Sequence, residues 1–144
     1  MYYRTDSRQM EYDRADKEVA EMSKIKVNEQ RAVDEFQELT AIDAPSFGER
    51  QMADRLIVKL KELGFEVEED NAGGHFGGNA GNLYAYLPGD LPGDSVLLSG
   101  HMDTVEPSKG KKGIIGEDGV IRSAGKAVLG ADDVAGLVEI LEGI

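Results

Sequence analysis

The chain has 144 residues, 40% of them apolar and 31% charged, which is enough for one domain with a core of its own. A net charge of −12 excludes the basic surface that nucleic acid or an anionic membrane requires, so neither is an expected partner. With no cysteine, disulfides and thiolate metal sites are ruled out, and any metal must be held by His, Asp or Glu.

No apolar run approaches the roughly 20 residues of a membrane-spanning helix. The polar start Met1-Tyr2-Tyr3-Arg4-Thr5-Asp6 lacks the apolar centre of a secretory signal, so a cytoplasmic protein is expected. Residues 1–24 read as a charged amino-terminal extension, because Asp13-Arg14-Ala15-Asp16-Lys17-Glu18 carries charge on all sides and no apolar stripe.

From Val27 the pattern turns helical. Val33, Phe36 and Leu39 recur at three-residue spacing, and Pro45 stops the helix. Ser46-Phe47-Gly48-Glu49 predicts a capping box for a second helix, which carries Met52, Leu56, Leu60 and Leu63 on one face and ends at Gly64. Phe65–Glu68 alternates as a half-buried strand does, and the acidic run Glu66–Asp70 reads as its solvated edge. Asn71–Asn79 is a glycine-rich stretch whose spacing matches no phosphate-binding loop; it predicts a flexible connection, with His75 an ordinary exposed residue. Leu83–Leu87 is a second strand, closed by a turn at Pro88-Gly89.

Ser95-Val96-Leu97-Leu98-Ser99 is a short apolar run between turn residues and predicts a strand buried on both faces. Lys109, Lys111 and Lys112 read as a solvated basic loop. Ile114–Gly116 and Val120–Arg122 form a small hairpin through Glu117-Asp118-Gly119. A third helix begins at Asp133, with Val134, Leu137, Val138 and Leu141 inward. Helices and strands in this order predict an α/β domain, a layered sheet with helices on both faces.

Two short constellations carry chemistry. Gly100-His101-Met102-Asp103-Thr104-Val105 follows the apolar run, and in open α/β sheets sites collect at the carboxyl ends of strands. If the backbone stays extended, His101 and Asp103 point the same way, and a carboxylate there fixes the imidazole tautomer. The alternative is a surface His beside a solvated Asp. Leu129-Gly130-Ala131-Asp132-Asp133 lies thirty-one positions beyond His101 at its first Asp. By themselves, paired acids at a helix start are better explained by capping and the helix dipole than by a metal site.

Taken together and in this order, Leu97-Leu98-Ser99-Gly100-His101-Met102-Asp103-Thr104-Val105 and Leu129-Gly130-Ala131-Asp132-Asp133 resemble the zinc aminopeptidase and amidohydrolase family of peptidase T, carboxypeptidase G and aminoacylase. Gly81-Asn82-Leu83 and Asp118–Ser123 add weaker support, and the Gly-Ala-Asp-Asp run is similar to the peptidase-T-like branch. The resemblance covers Met22–Ile144, so residues 25–144 are expected to form the amino-terminal part of a zinc-peptidase-like catalytic domain. It implies His101 as ligand to one zinc, Asp132 as the carboxylate bridging two, and Asp103 as the group orienting His101. It also implies a cis peptide between Asp132 and Asp133. Cobalt or manganese are expected substitutes for zinc. Val134 departs from the family, which usually has Lys there.

What the resemblance implies for the whole protein is hydrolysis of short peptides, a tripeptidase or aminopeptidase activity, with a homodimer among the expected assemblies. The family's Glu-Glu pair, further ligands, final His and lid domain have no counterpart after Asp132. The chain alone is therefore expected to be inactive and to bind zinc weakly. An amidohydrolase acting on N-acyl amino acids and a non-catalytic interaction domain that keeps the fold are the competing readings.

Overall fold

Asn28 opens the first helix by accepting the Arg31 amide on its side chain at 3.1 Å, satisfying one of the free donors at a helix start. In a computed structural model, which describes residues 26–90 and 92–144, that helix is α1, Glu29–Thr40. The extension expected over residues 1–24 lies outside the described residues. On α1, Leu39 is fully buried, with Ala32 and Phe36 half-buried beside it.

Helix α2, Arg50–Glu62, starts later than a capping box predicts. Glu49 occupies the cap position without a side-chain cap, and its carboxylate instead accepts the Phe47 amide at 2.6 Å. Ser46 donates to the Asp103 carboxylate, a charge-assisted bond that a neutral backbone partner does not match. Met52 and Leu56 are buried and Leu60 half-buried as expected, but Leu63 is exposed at the last turn, beyond the reach of the core. Polar side chains tie α1 to α2: Lys59 reaches Glu35 at 2.8 Å and Glu38 at 3.0 Å, and Arg55 pairs with Glu38.

Strands β1 (Glu66–Glu69) and β2 (Leu83–Tyr86) pair antiparallel, Glu66 opposite Tyr86 and Glu69 opposite Leu83. The glycine-rich stretch between them is a braced turn containing the short helix α3, Ala72–His75. One Asp70 oxygen accepts the amides of Ala72 (2.9 Å) and Asn82 (2.8 Å), and the other accepts Asn82 Nδ2 at 2.9 Å. The acidic run is thus not merely a solvated edge, since Glu69 also accepts from the two terminal nitrogens of the Arg50 guanidinium, at 2.7 and 3.0 Å. His75 is exposed, as expected.

Strands β3 (Gly113–Ile115) and β4 (Ile121–Ser123) form the expected hairpin. The expected strand at 95–99 is not present. That run pairs with no strand among the described residues, and Val96 and Leu97 are 84% and 91% exposed. An apolar run is buried on both faces only where strands and helices flank it, and the described sheets are two two-stranded ribbons. The class is α/β as expected, without a single layered sheet among the described residues. Lys111 is not solvated: its side chain is buried and Nζ donates to Thr104 Oγ1 at 2.8 Å. Burial pulls its pKa below the ordinary lysine value against the opposing fields of Asp43 and Glu106.

The last helix, α4, spans Ala131–Glu142, although Asp132 and Asp133 have non-helical dihedrals and regular turns begin at Val134. Its stripe of Val134, Leu137, Val138 and Leu141 packs with Leu39, Ala44, Met52 and Leu56 into one core. Arg31 joins α1 to α4 at the surface through Glu142, at 2.6 and 2.8 Å. No helix among the described residues is long and apolar enough to cross a membrane.

The core assignment sets two expectations. Leu39→Ala should cost about 3 kcal/mol of stability in chemical denaturation and Leu63→Ala about 0.5 kcal/mol or less; equal losses would contradict the described packing. Hydrogen bonding from Arg55 holds the Glu38 carboxyl below its ordinary 4.5 despite partial burial, with Lys59 assisting. A depressed carboxylate stabilises above its unfolded value and loses that contribution as pH falls through the folded one. Glu38→Gln should therefore lower Tm near neutrality and make Tm less sensitive to acid below about pH 4.5 in thermal melts.

Candidate metal centre

Residues 100–104 carry alternating environments. Met102 packs against the core, which turns its neighbours His101 and Asp103 to the opposite side together. The run is held in place at Thr104, whose amide donates to the Ala44 carbonyl at 2.8 Å and whose hydroxyl donates to the same oxygen at 3.3 Å. Pro45 and Thr104 form a parallel bridge there.

His101 Nδ1 lies 3.0 Å from the Asp103 carbonyl oxygen and 3.1 Å from Asp103 Oδ1. A proton on Nδ1 satisfies both acceptors and leaves the Nε2 lone pair facing outward. Nε2 lies 3.0 Å from Asp132 Oδ1. The structure therefore brings His101, Asp103 and Asp132 together around one imidazole. Burial is the largest single influence and lowers the His101 pKa, but hydrogen bonding to Asp132 and to the Asp103 carbonyl, with the fields of both carboxylates, together raise it above the ordinary value.

Asp132 reaches this position from a tight turn. Gly130 has φ +76°, and a Cβ there would lie 3.0 Å from both Lys111 Nζ and Thr104 Cγ2, so only glycine suits both backbone and space. The Asp132–Asp133 peptide is cis. Gly130 also occupies the helix cap position and offers no side-chain cap. Asp133 turns back to the other segment, its Oδ2 accepting the His101 amide at 3.3 Å. A Cβ at Gly100 would stand 2.8 Å from that oxygen and 3.2 Å from Leu137 Cδ2, so a larger residue would push the Asp133 carboxylate away.

Sequence reasoning missed two contributors. Ser46, whose hydroxyl lies 2.5 Å from Asp103 Oδ2, gave no signal because its partner is 57 positions away. Asp133 was visible as a helix-start acid and as a member of the Gly-Ala-Asp-Asp run, not as a partner of the His101 backbone.

The donor set suits a divalent cation. Asp132 has a 97% exposed side chain, so burial does not explain its approach to the imidazole; two carboxylates flank one ring whose outer nitrogen needs a proton or a cation between it and Asp132. Tetrahedral zinc with nitrogen and oxygen ligands at about 2.1 Å separates adjacent donors by about 3.4 Å, a few tenths more than the 3.0 Å here. Among the described residues, no group of three or more His, Asp or Glu side chains converges as a metal site.

No protein-family model matches the chain. It is 40% identical over 118 residues to the Bacillus subtilis (strain 168) protein named uncharacterized protein YqjE, covering 82% of this chain and 32% of that protein. The crystal structure of a tripeptidase from Staphylococcus aureus superposes with a TM-score of 0.78 at 40% identity, covering 81% of this chain and 31% of that one. Aminopeptidase PepT from Bacillus cereus superposes with a TM-score of 0.77 at 41% identity, with the same coverage of 81% and 31%. The chain thus spans about a third of the length of the relatives it matches. In sequence and in backbone alike, it is similar to about a third of each of these peptidase-T-like structures.

Proposed function

We propose that this chain supplies part of a dinuclear metal centre in a protein that hydrolyses short peptides. In this reading His101 is a ligand to one cation through Nε2, Asp132 is the carboxylate shared between two cations, and Asp103 orients the imidazole. The observation that carries it is the 3.0 Å approach of His101 Nε2 to the exposed Asp132 carboxylate across thirty-one positions of sequence. Support comes from the nitrogen and oxygen donor types, which suit zinc with cobalt or manganese as substitutes. Likeness to a solved tripeptidase and to a solved aminopeptidase supports the peptide substrate.

When bound, a pair of such cations supplies Lewis-acid polarisation of the scissile carbonyl and a nucleophile near neutral pH. The residues of this chain do the holding and orienting. Asp103 keeps the proton on Nδ1, so that Nε2 presents its lone pair outward. Asp132 brings the negative charge that offsets repulsion between two nearby cations. Asp133 and the glycines at 100 and 130 hold the two loops at ligand distance. With two converging donors, the chain alone is expected to bind zinc weakly and to show no chelator-sensitive peptide turnover.

Zinc titration of the purified chain, followed by calorimetry or by competition with a chromophoric chelator, tests the assignment. His101→Ala and Asp132→Ala should each abolish measurable binding, while Asp103→Asn should weaken it about 10- to 100-fold. Zinc bound equally well by wild type, His101→Ala and Asp132→Ala would refute the ligand roles.

A further inference from the structure

We infer that Ser46 is a positioning residue for the proposed centre, its hydroxyl fixing the Asp103 carboxylate so that one oxygen faces the His101 ring. The inference rests on the metal-ligand reading of His101 and Asp132. Its geometry is direct: Ser46 Oγ lies 2.5 Å from Asp103 Oδ2, and the other oxygen, Oδ1, lies 3.1 Å from His101 Nδ1. A hydroxyl donating to a carboxylate makes a short, charge-assisted bond. That bond occupies Oδ2 and leaves Oδ1 for the imidazole.

Ser46 is held where it stands. Ala44 is fully buried and its carbonyl accepts both the amide and the hydroxyl of Thr104, which is itself 2% exposed. Pro45 bridges Thr104, and its carbonyl accepts the Gly48 amide at 2.7 Å, closing a tight turn around Ser46. The α1–α2 connection is thereby strapped to the residue next to Asp103, and the serine cannot withdraw without breaking buried contacts. Ser46 itself is exposed, and it caps no helix, so its hydroxyl contributes little to packing. Its removal should spare the fold and loosen the carboxylate. A carboxylate free to rotate weakens the preference for a proton on Nδ1, and with it the presentation of Nε2 toward Asp132.

The test compares the chain with Ser46→Ala and with Ser46→Thr, which keeps the hydroxyl. Three quantities are measured: zinc affinity by chelator competition, the His101 ring tautomer in the metal-free chain by nitrogen NMR followed to alkaline pH until the ring has lost its charge, and Tm. Ser46→Ala should bind zinc about 3- to 10-fold more weakly, a step below the loss typical of groups that touch a ligand directly. It should also shift the ring from the Nδ1-protonated form toward a mixture, with Tm essentially unchanged. Ser46→Thr should behave as wild type in all three. Unchanged zinc affinity and tautomer in Ser46→Ala would overturn the inference, as would equal losses in both variants, since the hydroxyl would then be irrelevant. If wild type binds no zinc, the ligand reading of His101 and Asp132 fails, while the tautomer comparison still decides whether Ser46 governs Asp103.

Discussion

Asp132 can face His101 only because the helix that follows it is pinned. Val134, Leu137, Val138 and Leu141 sink one face of α4 into the cluster built by Leu39, Ala44, Met52 and Leu56, fixing the rotation of the helix about its axis. The carboxylate at its start has no comparable burial; its exposed side chain is aimed by the turns behind it. Met102 does the same from the other side, inserting into that core between His101 and Asp103. The candidate centre is therefore a surface feature whose coordinates are dictated by apolar packing beneath it.

Above that foundation the electrostatics are those of one ring between two acids. Asp103 and Asp132 approach opposite edges of the imidazole, and together they favour positive charge there against the larger single effect of desolvation. A third carboxylate, Asp133, is diverted to the His101 backbone amide. Two adjacent aspartates thus do different work, one aiming a charge outward and the other suturing the loops together. Lys111 sits just behind them, buried against Thr104 and Gly130, where its aliphatic stem fills space that the turn leaves open.

Helical spacing made the stripes of α1 and α4 legible in the sequence, and the β3–β4 hairpin followed from its turn residues. Alternation along an extended chain was enough to put His101 and Asp103 on one side. The misses involved partners that the local pattern does not name. Ser46 followed by Glu49 satisfies a local capping rule, but Asp103, 57 positions on, supplies the stronger bond. Lys111 looks like one more loop lysine until Thr104 and Gly130 enclose it. The glycines after Asp70 read as slack, whereas that carboxylate gathers the amides of Ala72 and Asn82 into a knot. Val96, Leu97 and Leu98 have the composition of an interior strand, and composition does not say which neighbours are there to cover it. The facing of His101 and Asp132 is also a long-range matter; the likeness of two motifs to a known family anticipated it, whereas spacing alone did not.

The uncovered run at Val96–Leu98 leads through two residues into His101. Among the described residues it pairs with no strand, and an unpaired apolar run is the kind of border onto which another strand zips. Any such strand would grip the backbone that carries the imidazole and restrain its drift relative to Asp132. A strand pairing there would cover those aliphatic side chains and steady the ring in the same step.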